Sequence, residues 1–115
     1  MAIGSALLLL ALSSVDAHEL GCSAPDSWAP SMAFVQLKNA GLTDNPAVDF
    51  NKTNVELLAQ QKIGEDLYRQ IHHVTFRLKA GGMIEVITRS NASSEECSMS
   101  SVQVFVVSKQ LGNSP

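Results

Sequence analysis

Residues 72–86, HHVTFRLKAGGMIEV, constrain this chain more than any other stretch. Val74, Phe76, Leu78 and Ala80 alternate with His73, Thr75, Arg77 and Lys79. A period of two, apolar on one side and polar on the other, predicts a half-buried strand. Met83 to Thr88 predicts a second strand, with Ile84 and Val86 on one face and Met83, Glu85 and Ile87 on the other. Gly81-Gly82 between them supplies the positive φ that a tight hairpin demands. His73–Ala80 and Met83–Thr88 should therefore pair antiparallel. Val74, Phe76 and Leu78 then point inward, and Arg77 and Lys79 lie on the solvent side near an exposed tip. Beyond the polar loop RSNASSEECSMSS, a third strand is predicted from Val102 to Val107.

An apolar sheet face needs a cover, and only the upstream chain can supply it. Ser31 to Ala40 predicts a short helix, with Pro30 in its first turn and Gly41 ending it. Leu42-Thr43-Asp44-Asn45-Pro46 reads as a stop and a new start, with Asn45 as cap and Pro46 at the first helical position. From there to about Ile63 the composition favours helix. Val55, Leu58, Ala59, Ile63 and Leu67 fall within half of a helical wheel, while Phe50 and Leu57 fall off it. Gly64 weakens continuation. The outline is helix followed by a three-stranded antiparallel meander, an α+β fold in which helix covers sheet.

The chain opens MAIGSALLLLALSSVDA, an apolar run followed by small residues. This predicts a secretory signal peptide over residues 1–17 and a single domain over 18–115. The run is too short for a membrane anchor, which takes about 20 residues. Cys22 and Cys97 are the two cysteines, and an even count in an oxidising compartment predicts one disulfide between them. Asn51-Lys52-Thr53 and Asn91-Ala92-Ser93 are N-x-S/T sequons, so Asn51 and Asn91 are candidate glycosylation sites. The formal charge is −3 with no basic cluster, which speaks against nucleic acid as a partner.

Catalytic chemistry finds little support. His72 and His73 are adjacent, and neighbours on a strand point to opposite faces, so they are poorly placed to share a metal. Glu95-Glu96 in a serine-rich loop reads as a solvated pair, and Cys97 has no indicated base. No cofactor motif is present. Trp28, between Pro25 and Pro30, either pins the N-terminal segment to the domain or projects as a contact. A lone aromatic beside a candidate disulfide usually packs.

The order of elements resembles the cystatin family. Cys97-Ser98 followed by Val102-Gln103-Val104-Phe105-Val106-Val107 looks like the family's stretch from a cysteine into its fourth strand. Ala80-Gly81 looks like the end of its first-hairpin motif, Q-x-V-x-G. In that alignment Arg77 and Lys79 stand at the Gln and Val positions, Ser108-Lys109 at the second-hairpin Pro-Trp, and Gly21 at the N-terminal glycine. The resemblance implies a helix laid across an antiparallel sheet. It also implies a secreted protein that inhibits papain-like cysteine proteases by inserting an apolar wedge into the cleft. The candidate contacts are Leu20, Gly21, Arg77, Leu78, Lys79, Ala80, Gly81, Ser108 and Lys109. Charged residues at the tip are costly to desolvate, which predicts weak inhibition. The alternative is a non-inhibitory extracellular protein that binds another partner on the same scaffold.

Overall fold

The computed structural model describes residues 20–107. The expected signal peptide, Ser108 and Lys109 lie outside them. Helix α1 spans Trp28–Asn39 and is followed by a short 3-10 turn, Asn45–Ala47. Four strands then run β1 Val48–Gly64, β2 Leu67–Leu78, β3 Met83–Ala92 and β4 Gln103–Val107. They form one antiparallel sheet in the order β1-β2-β3-β4. The α+β class is as expected.

α1 starts three residues before the predicted Ser31, so Pro30 sits in its first turn. It ends where glycine allows. Gly41 has φ +75°, Leu42 N–H bonds the Leu37 carbonyl at 2.9 Å, and Gly41 N–H bonds that of Lys38 at 3.0 Å. This paired closure around a left-handed glycine satisfies carbonyls that a helix end leaves open. One face of α1 carries Ala33, Phe34 and Leu37 onto the sheet. There they meet Val74 and Phe76 of β2, Val86 of β3 and Val48 of β1. Leu78 and Ile84 pack at the margin. The inward set read from the alternation is thus the core set.

The expected second helix to Ile63 is overturned: residues 48–64 form β1. Asp44, not Asn45, caps the intervening turn, its Oδ1 accepting the Ala47 N–H at 3.1 Å. The turn ends after Ala47, and the chain then pairs with β2 from Val48↔Leu78 to Gly64↔Leu67. β1 departs from regular pairing three times. In the widest departure Phe50, Asn51, Lys52 and Thr53 stand against Phe76 alone. A second falls between Leu57 and Ala59. Each bulge resets which residues face inward. The apolar residues therefore never show a long period of two, and among the described elements α1 alone covers the sheet.

His72 is wholly buried on the core side of β2, its Nε2 3.1 Å from Ser23 Oγ and its Nδ1 without a partner among the described residues. His73 turns to the other face, toward Glu85 at 2.9 Å. The two rings are separated as strand geometry requires. Burial pulls the His72 imidazole below its usual 6.5, because the charged form is the costlier one to bury. A depressed histidine pKa means that the unfolded chain binds more protons than the folded one. Stability is therefore complete above about pH 6.5 and falls as pH drops toward and through the lowered value. Urea midpoints measured from pH 7.5 to 5 should decline in the wild type and decline less in His72→Phe. Parallel curves for the two proteins would remove His72 as the cause.

Candidate functional site

The sheet has two ends, and the candidate contacts divide between them. At one end β2 turns into β3. Gly81 and Gly82 take φ of +109° and +86°, and Leu78 N–H reaches the Gly82 carbonyl at 3.1 Å. A side chain at either glycine would meet nothing within 4 Å. These glycines serve the turn's backbone rather than a close approach. Arg77, Lys79, Ala80 and Gly81 are exposed, while Leu78 packs against the core. Lys79 N–H bonds the Ala47 carbonyl at 2.9 Å and ties the tip to the 3-10 turn. β4 runs toward this end, reaching Val107 opposite Glu85.

At the other end one loop ties two further segments together. The first is Leu20-Gly21-Cys22, bridged by a disulfide to Cys97, with Cα atoms 5.6 Å apart. The second is the hairpin from β1 to β2, closing at Gly64↔Leu67 through Glu65-Asp66. The loop spans residues 93–102. Ser94 joins it to the second segment, its N–H and Oγ donating to the two carboxylate oxygens of Asp66 at 3.1 and 2.8 Å. Within the loop the Ser93 Oγ accepts the N–H groups of Glu95 at 3.3 Å and Glu96 at 3.1 Å. Trp28 donates its indole N–H to the Ser100 carbonyl at 2.9 Å, and Gln36 its amide to the Val102 carbonyl at 2.7 Å. Trp28 thus pins the start of α1 to the loop. The loop that composition marks as polar and irregular is anchored from three directions.

The register between Tyr68↔Ala92 and Arg77↔Met83 is unbroken. At a strand rise of about 3.4 Å per residue, the ends lie roughly 30 Å apart. Leu20 and Gly21 therefore belong to the bridged end, and Arg77, Lys79, Ala80 and Gly81 to the glycine turn. They do not share one edge.

Reading residues 48–64 as helix hid the first hairpin after α1. Gln60-Gln61-Lys62-Ile63-Gly64 leads into that hairpin. It carries Gln and Gly at the outer positions of Q-x-V-x-G, with Lys62 at the Val position. The order of those residues was the available signal. Gln60 accepts the buried Gln70 amide across the pair at 2.8 Å. A Cβ on Gly64 would lie 3.2 Å from that of Leu67, so the hairpin closes tightly there. Glu65, Asp66, Glu95 and Glu96 are exposed around this end.

No family model, curated protein or solved structure matches the chain.

Proposed function

We propose that the chain is a secreted cystatin-like protein that engages papain-like cysteine proteases through the bridged end of its sheet. The observation that carries this reading is that the 93–102 loop is tied both to the Leu20–Cys22 segment, through the disulfide, and to the Gly64–Leu67 hairpin, through Ser94 and Asp66. An N-terminal segment beside two turns is the arrangement that the family resemblance implies for a wedge. The disulfide fits an extracellular setting. Inhibition is weak on this reading, because Lys62 and the carboxylates must lose water on entering a cleft.

The test is a titration of papain with the wild type and two variants. Lys62→Val removes a cation from the hairpin and should strengthen inhibition by about tenfold, a modest fraction of an ion's burial cost. Arg77→Gln with Lys79→Val alters only the far end and should leave inhibition unchanged. Strengthening by the second variant alone moves the contact edge to the glycine turn.

The four carboxylates favour a second reading. A rim of like charge suits a basic extracellular partner, and the protein is then a non-inhibitory binder on the same scaffold. Wild-type protein that leaves papain fully active, together with salt-sensitive binding to another extracellular protein, selects this reading.

A further inference from the structure

Between the first turns of α1 and the widest bulge of β1 lies a groove of about 690 Å³. This is within the range of about 300–1,000 Å³ usual for ligand sites. Its apolar wall is Pro30, Phe34, Phe50 and Phe76. Phe50 meets Phe34 edge-to-face with centroids 4.8 Å apart, which holds the ring while leaving Phe50 44% exposed. Exposing an oriented aromatic calls for an occupant, and the chain names one. Asn51 and Thr53, the first and last residues of a sequon, both line this groove. The bulge breaks the regular alternation here, so neighbouring Phe50 and Asn51 both line the groove. The bulge also takes Asn51 out of register with β2, leaving it exposed beside Lys52, whose ammonium lies 3.9 Å from the Asp49 carboxylate.

We infer that this groove is the seat of the first N-acetylglucosamine of a glycan on Asn51. In the modifying step the Asn51 side-chain nitrogen bonds to C1 of the sugar on a lipid-diphosphate-linked oligosaccharide. The nitrogen loses one proton, and the lipid diphosphate leaves with the bonding pair. The apolar C–H face of the attached sugar then lies on Phe50, whose π face is the negative end of its quadrupole. The second sequon lacks such a seat. Asn91 stands in register opposite Arg69 within the sheet. Its N–H is held by Ser100 Oγ at 2.8 Å and its carbonyl by Met99 N–H at 3.1 Å. A glycan there must leave from a crevice closed by the 93–102 loop, so Asn51 is the occupied site.

The inference rests on the secretory reading, and the experiment separates the two. The full chain is expressed in eukaryotic cells that make high-mannose glycans. Medium and cells are analysed by N-terminal sequencing and glycopeptide mapping. Secreted material is compared intact, after endoglycosidase trimming to one sugar, and as Asn51→Gln. The expected result is modification at Asn51, little at Asn91, and equal stability of the intact and trimmed forms. The unfolding equilibrium constant of Asn51→Gln should be about fivefold larger, the scale of one aromatic contact. In a Phe50→Ala background, glycosylated and Asn51→Gln proteins should unfold alike. Protein kept in the cells with Met1 intact overturns the secretory reading and this inference with it. Secreted protein with bare Asn51, or a stability difference that survives Phe50→Ala, overturns this inference alone.

Discussion

Replacing Cys22 and Cys97 together by serine should destabilise the protein by about 4.5 kcal/mol, the chain-entropy value for a closed loop of this length. The bridge joins residues separated by 75 positions, so it restrains most of the described chain when unfolded. Domains of this size hold only about 5–15 kcal/mol in all. The loss is thus a large share of the total, roughly a thousandfold in the unfolding equilibrium. It also frees the Leu20–Cys22 segment, leaving the neighbouring Ser23 to hold the chain to the sheet through His72. Urea unfolding of the double variant, and of the wild type with and without reductant, measures the effect. A midpoint unmoved by reduction would show that the contacts of Trp28 and Gln36 with the loop suffice to hold this end.

Phe76→Ala should cost about 3–5 kcal/mol, as expected for deleting a buried aromatic side chain. Phe76 is 2% exposed and stands where α1, β2 and the bulge of β1 meet. Its ring lies 6.0 Å from that of Phe34. β1 places four residues against this one, so the hole cannot be filled by a paired neighbour. The half-exposed Phe50, cut back in the same way, should cost about 1 kcal/mol. Equilibrium denaturation of both variants compares them, with the slope on denaturant expected to stay constant. Equal losses would place the core elsewhere than beneath α1.

The parts readable from the sequence were those where one local rule operates without interruption. From His73 to Leu78 no bulge intervenes, and the alternation Val74, Phe76 carries directly into burial. Gly81-Gly82 and Gly41 mark positions that need positive φ, and each ends an element. The cysteine pairing follows from count and compartment. β1 was read as helix because tertiary pairing overrides local preference there. Leu57-Leu58-Ala59-Gln60-Gln61-Lys62 is rich in good helix formers. The bulge between Leu57 and Ala59 places Val55 and Leu57 toward one face and Ala59 toward the other. The placement of the expected contact edge follows from the same expectation. With β1 taken as helix, the hairpin after it became the first, and the motif was sought at Arg77–Gly81.

Among the described residues β1 has a neighbour on one side only, so its outer row of backbone donors and acceptors lies open there along much of its length. Such an edge invites a second chain to add itself as another strand. Here the invitation is withdrawn by the strand's own irregularity. Three breaks in register bend and twist the strand, and Asp49, Lys52, Glu56 and Lys62 distribute charge along it. A flat partner strand finds no long run with which to stay in step. Straightening β1 by deleting Leu58 would give a cleaner ladder and a sheet more prone to aggregate.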